Sequence, residues 1–143
     1  MRISAKAEYA CLAVLELALR SSQSEPVRLT EIAQPNAIPE RFLVQILLQL
    51  KGSGYVTSLR GASGGYRLTV DPREISLFEV IHAVDGPAPP WLADEAAKRG
   101  AGWQVLRDVW HEVTQREEEV LQNTSFAQLV ETARRQNANM YYI

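Results

Sequence analysis

Three features predict a mainly α-helical fold carrying one small β-hairpin. The first half of the chain reads as helix, short helix, helix, then two β-rich segments. Between those segments lies Arg60-Gly61-Ala62-Ser63-Gly64-Gly65, a glycine-rich stretch suited to a tight hairpin tip. Apolar residues then recur every three or four positions over 103–122, the period of a long helix. The order is that of a winged helix-turn-helix over residues 1–86, followed by a sensor-type loop over 87–102 and, over 103–143, a dimerisation helix with a C-terminal helix.

Ser4 is an N-cap candidate for a first helix running to about Leu19, with Ala7, Ala10, Cys11, Val14, Leu15 and Ala18 on one face. Residues 21–26 read as a polar loop. Thr30 is placed as the cap of a short second helix holding Glu31, Ile32 and Ala33, which Pro35 ends early. Pro39 suits the first position of a third helix, and Glu40 suits its positive end. Phe42, Leu43, Ile46, Leu47 and Leu50 are the expected buried stripe, and Gly52 and Gly54 the stop. Strands follow at Tyr55–Leu59 and Tyr66–Val70.

Ser76 and Glu79 have capping-box spacing, predicting a helix to about Val84 that Asp85-Gly86-Pro87 terminates. A short helix is expected near Trp91–Lys98. The long helix should span Trp103–Gln122, with Trp103, Leu106, Trp110, Val113 and Val120 as a coiled-coil-like dimerisation seam broken by Glu117. Ser125 and Gln128 open a last helix bearing Phe126, Leu129 and Val130, and residues 137–143 read as a loose tail.

The chain has 143 residues, 46% of them hydrophobic, which suffices for a packed core. No apolar run is long enough to span a bilayer and no secretory signal is evident, so a cytoplasmic protein is expected. One cysteine, Cys11, excludes an internal disulfide and any metal site built on several thiolates of one subunit. It reads as a small buried hydrophobe. Net charge is −2, yet residues 41–70 hold Arg41, Lys51, Arg60 and Arg67 with no acid, whereas residues 71–143 hold twelve acids and seven bases. Local potential governs phosphate binding, so the acid-free stretch is the candidate nucleic-acid face.

On the outer side of the third helix, Arg41, Val44, Gln45 and Gln49 are expected at the groove, with Pro39 and Glu40 at its start. Arg41 suits guanine or phosphate and Gln45 suits adenine. Val44 offers only apolar contact, for example to a thymine methyl. Arg60 is the first choice for a wing contact. Ser58, Ser63 and Arg67 are candidate phosphate ligands, as are the amides around Gly61, Gly64 and Gly65. Ser4 and Lys6 are candidates for flanking phosphates. Winged helices also serve as protein-interaction modules, and that alternative has no operator. Steep salt dependence and discrimination against random DNA separate the two. No nucleophile–base pair, phosphate loop or spaced carboxylate pair suggests an enzyme.

Several segments carry a resemblance: Tyr9-Ala10, Glu31-Ile32-Ala33, Ile38-Pro39-Glu40-Arg41-Phe42-Leu43, Gln45-Ile46-Leu47 and, above all, Ser58-Leu59-Arg60-Gly61-Ala62-Ser63-Gly64-Gly65-Tyr66-Arg67-Leu68. The sequence resembles the Rrf2-type regulators, the family of IscR, NsrR and CymR. The similarity continues through Ile75–Gly86 and into the long helix. It implies a homodimer held by that helix on a pseudo-palindromic double-stranded DNA operator in bacterial promoters, and repression is the expected mode of regulation. It also implies that Arg60 enters the minor groove and the third helix the major groove.

Departures qualify the resemblance. Iron–sulfur members carry three cysteines in the loop after the fourth helix; here residues 87–102 have none, so no cofactor is expected. Val44 stands where many members have glutamate, and their base preference does not transfer. Pro35 and Ala37 replace commoner residues around the second helix. Glu8 lies where some cluster-binding relatives supply a carboxylate, but Glu8, His82, Asp85, His111 and Glu112 are better read as ordinary structural or solvated groups than as metal ligands. For an effector, a small-molecule pocket lined by Trp91, Trp103 and Trp110 and control by a protein partner both stay open.

Overall fold

In the computed structural model the described residues are 3–87 and 100–140. They form six helices and a two-stranded sheet: α1 (Ala5–Leu19), α2 (Leu29–Ala33), α3 (Glu40–Gly52), β1 (Val56–Leu59), β2 (Gly65–Leu68), a 3₁₀ turn (Pro72–Glu74), α4 (Leu77–Asp85), α5 (Ala101–Gln122) and α6 (Phe126–Met140). The short helix expected near Trp91–Lys98 lies outside the described residues.

α1 begins as its sequence directs, with the Ser4 hydroxyl accepting the Ala7 amide at 3.0 Å. Its alanines let α4 and α3 approach closely; Ala7, Ala10, Ala13 and Ala18 are all buried. α2 starts two residues earlier than a Thr30 cap requires. Arg28 is the N-cap, without a side-chain hydrogen bond, and Thr30 lies inside the helix. Arg20 links α1 to α2 through Glu31 at 2.8 Å, with Glu16 at 3.8 Å. In the α2–α3 turn Ala37 adopts φ 50°, a left-handed conformation that costs a non-glycine residue about 1 kcal/mol.

Pro39 is the N-cap of α3 rather than its first helical residue, because its ψ of 128° is still extended. Leu43, Ile46, Leu47 and Leu50 are buried as expected. Phe42 is not; it is half-exposed, its ring 6.4 Å from that of Tyr9 on the flank of α3. The stripe thus narrows to positions i, i+3, i+4 and i+7, which is all that α1 and α4 can cover.

The hairpin is antiparallel, pairing Val56 with Leu68 and Leu59 with Gly65. Its strands are shorter at their outer ends than β-propensity suggests. A single bridge extends the sheet: the Val27 amide donates to the Tyr66 carbonyl at 2.8 Å and the Tyr66 amide to the Val27 carbonyl at 2.7 Å. The wing base is therefore hydrogen-bonded to the loop ahead of α2.

Both capping boxes form. Ser76 accepts the Glu79 amide while Glu79 accepts the Ser76 amide at 3.0 Å. Ser125 and Gln128 repeat the arrangement at 3.2 and 3.0 Å. The two helix starts are joined, since the Leu77 amide donates to Thr124 and the Phe126 amide to Ile75, each at 3.0 Å. This directs α6 back onto α1, where Phe126 and Val130 enter the core built by α1, α3 and α4. α6 continues to Met140, so the tail expected from residue 137 is helical that far. α5 begins two residues before Trp103 and, unlike the other long helices, has no buried residue.

Phe126 is fully buried between helices far apart in sequence. Phe126→Ala is expected to lower unfolding free energy by about 3–5 kcal/mol, a large aromatic truncation in a closed core. Urea titration checks this, and a loss under about 1 kcal/mol would mean that α6 does not dock as described.

Candidate nucleic-acid interface

The burial of Leu43, Ile46, Leu47 and Leu50 decides which side of α3 meets solvent. Directly opposite, at successive turns, stand Arg41, Gln45, Leu48 and Gly52. Val44 and Lys51 form one flank, Phe42 and Gln49 the other. Lys51 Nζ donates to Ser58 Oγ at 2.7 Å, so the wing borders the Val44 flank. The Tyr9–Phe42 ring contact puts α1 on the other. A helix with one free ridge between a wing and a supporting helix has the shape that enters a major groove.

Arg41 and Arg60 are exposed and, among the described residues, have neither hydrogen-bond nor ion-pair partners. Gln45 is exposed on the ridge and Ser63 at the wing tip. Glu40 is exposed in the first turn of α3, where it suits the helix dipole but opposes an approaching phosphate.

Other expected contacts are engaged within the chain. Arg67 is half-buried and donates to the Ser24 carbonyl, holding the loop after α1 to the wing. Ser58 already accepts Lys51. Gln49 is half-buried, and its Oε1 is enclosed without a hydrogen bond, so it flanks the reading ridge rather than forming it. The Ser4 hydroxyl is shared between Asp85 Oδ1 and Oδ2 at 2.9 and 2.8 Å, so a carboxylate occupies the start of α1. Lys6 beside it is half-buried.

The wing glycines are required by close approach. A Cβ at Gly64 would lie 2.3 Å from the Leu59 carbonyl oxygen, and one at Gly65 would lie 2.4 Å from that of Val27. The Gly64 amide donates to Gly61 at 3.0 Å and is not free for a phosphate. Gly61, at φ 109°, does need glycine's conformational freedom.

Three side chains of this surface escaped sequence reasoning as contacts: Leu48, Lys51 and Leu59. Helical spacing from Arg41 is the signal that finds Leu48 on the ridge. On α5, Leu106, Trp110, Val113 and Val120 are exposed as a dimerisation seam would be, while Trp103 is half-buried; Val105 and Val109 broaden the stripe. Trp91 lies outside the described residues. Among the described residues a cavity of about 540 Å³ opens beside the joined starts of α4 and α6, lined by Arg73, Ser76, Phe78 and Gln128 among others; neither Trp103 nor Trp110 borders it.

An acid-free helix ridge beside a glycine-tipped wing defines a winged helix-turn-helix transcription regulator. The chain belongs to the Rrf2 family: residues 3–132 match the family described as "Iron-dependent Transcriptional regulator". It is similar to the regulator CymR of Bacillus subtilis, 34% identical over the full length of both chains. It is also similar to a putative rrf2-like regulator of Rhodobacter capsulatus, 46% identical over 62% of this chain and 60% of that one. Among solved structures, IscR of T. potens superposes with a TM-score of 0.77 at 31% identity, covering 93% of this chain and 88% of that one. The oxidised form of Staphylococcus aureus CymR gives 0.75 at 28%, covering 92% and 97%. The protein is a regulator of transcription and not an enzyme.

The residues present do not fit a cysteine-ligated iron centre. Burial pushes the Cys11 thiol up to about 12, with the Asp85 and Glu8 carboxylates adding to the effect, so the thiolate that a cysteine-ligated centre requires is disfavoured. Among the described residues no three His, Cys, Asp or Glu side chains converge to hold a metal. Residues 88–99 contribute neither cysteine nor histidine.

The raised value keeps Cys11 neutral in the folded state up to strongly alkaline pH. At pH 8 the native protein is expected to react with iodoacetamide at least about tenfold more slowly than the chain unfolded in guanidinium. Equal rates would show that the thiol is neither buried nor held protonated.

Proposed function

We propose that the protein is a cytoplasmic, homodimeric repressor of bacterial promoters that binds a pseudo-palindromic operator. Each protomer lays α3 in the major groove of one half-site and the wing along the neighbouring minor groove, with half-sites one helical turn apart. Arg41 and Gln45 read base edges, Val44 meets an apolar base edge, and Arg60 enters the minor groove, where negative potential is concentrated. Ser63 at the tip contacts phosphate, while Ser58, Lys51, Arg67 and the wing glycines hold the wing at the required angle. The observation that carries this reading is the pair of exposed arginines without partners among the described residues, Arg41 and Arg60, in the acid-free stretch 41–70 that also presents the α3 ridge.

The α5 stripe supports a dimer. Leu106, Trp110, Val113 and their neighbours are too apolar to stay in water over so long a face, and a second α5 would cover them. The cysteine-free loop and the burial of Cys11 favour an effector other than an iron–sulfur cluster, either a small molecule near Trp91, Trp103 and Trp110 or a partner protein.

An operator selected from a random duplex library tests the reading directly; failure to enrich any sequence over bulk DNA would refute it. On that operator, Arg60→Ala is expected to weaken binding by about 1–3 kcal/mol, roughly tenfold to a hundredfold, with dimer mass unchanged. Undiminished affinity would remove Arg60 from the interface. Val113→Asp is expected to give a monomer in light scattering, because it buries an unpaired charge in the seam. A persistent dimer would place the subunit contact elsewhere.

A further inference from the structure

Leu48 is the most exposed large apolar side chain of α3, at 68%, and it stands on the central ridge between Gln45 and Gly52. Folding leaves it in water, although the four leucines and isoleucines on the opposite side are completely buried. Val44, one turn away, is also exposed, but the setting is cationic and polar: Arg41 and Gln45 share its ridge, Lys51 stands one turn on, and no acid lies between residues 41 and 70. That surrounding charge favours an anionic occupant, yet the side chain itself can gain only from an apolar contact. A duplex offers both at once. Its phosphates meet the cations, and the single apolar group on its major-groove base edges is the C5-methyl of a pyrimidine.

We propose that Leu48 is a specificity-determining residue that seats against a pyrimidine C5-methyl in each half-site. The inference rests on the placement of α3 in the major groove. Val44, one turn earlier, leans towards the wing and leaves the centre of the groove to Leu48. Gly52, one turn later, leaves space beside it, since a Cβ there would meet nothing within 4 Å. The seven-residue step from Arg41 to Leu48 spans about 10 Å at the helical rise, or roughly three base-pair steps. The methyl it reads therefore lies about three base pairs from the position read by Arg41.

The methyl has two sources, thymine and 5-methylcytosine, and both are tested on the selected operator with the full-length chain. Each thymine is replaced singly by uracil, and each cytosine singly by 5-methylcytosine. One position per half-site is expected to change wild-type affinity by about fourfold, the effect of burying one methyl-sized group. A loss with uracil assigns thymine; a gain with 5-methylcytosine assigns the modified base. Leu48→Ala, an exposed substitution that leaves the core untouched, should erase the dependence at that position alone, and Arg41→Ala should shift specificity about three base pairs away. Indifference to every methyl, an unchanged dependence in Leu48→Ala, or a dependence erased by Val44→Ala instead would each overturn the proposal while leaving operator binding in place. If no operator is selected, the functional reading fails and this inference fails with it.

Discussion

The packing of one stripe on α3 governs the rest of the molecule. Leu43, Ile46, Leu47 and Leu50 are excluded from water in the core that α3 shares with α1, α2, α4 and β1, and each contributes roughly 1.5–3 kcal/mol of burial. Because the helix is rigid, burying that side leaves Arg41, Gln45 and Leu48 no choice but to face outwards. Specific recognition depends on a ridge held in one rotation, and the core supplies that hold without any residue of the ridge taking part.

The same separation of duties marks the wing. Its motif contains serines, arginines and glycines that all look suited to phosphate, but the structure divides them. Arg67 holds Ser24, Lys51 holds Ser58, and Gly64 and Gly65 admit the backbones of Leu59 and Val27 at distances no side chain tolerates. What remains free is Arg60, with Ser63 at the tip. A long, flexible cation needs a rigid base if it is to enter a narrow groove in one register, since every uncertain angle at the base costs entropy on binding. Bonds spent inside the wing therefore serve the contact made at its end.

Chemistry sets this chain apart from the iron-dependent description of its family. A half-buried thiol that burial and the Asp85 and Glu8 carboxylates keep neutral is a poor ligand, and the long helix shows an apolar stripe that includes Val105 and Val109. The Ser4–Asp85 hydrogen bonds connect the start of α1 to the end of α4, one residue before Gly86 and Pro87 lead into the loop. Asp85 sits at the unfavourable end of its own helix and the favourable end of α1, so the contact between helices is what stabilises it there.

Local chemistry was enough to locate most elements. The Ser4 cap, both capping boxes, the glycine-tipped hairpin and the periodicity of the long helix all act through neighbours within four residues, and all appear where their residues place them. Two local expectations shift, since Arg28 rather than Thr30 caps α2 and Pro39 caps α3 instead of opening it, and the other departures come from distant neighbours. Phe42 has the right residue type for a core, but it meets only the Tyr9 ring at the edge of α1 and stays half in solvent. Arg67 and Gln49 have the right type for a groove, but their surroundings claim them. Phe126 shows that the last helix packs with the first, which a division of the chain near residue 103 does not anticipate.

By itself, then, the order of residues determined the long helices, the caps of α1, α4 and α6, the hairpin and the acid-free arginine-bearing stretch, because these follow from short-range hydrogen bonding and from charge counted along the chain. Only the tertiary structure decided which polar groups stay free, which flank of α3 meets the wing and where α6 docks. Those outcomes depend on contacts between residues dozens of positions apart, whose geometry no local pattern encodes.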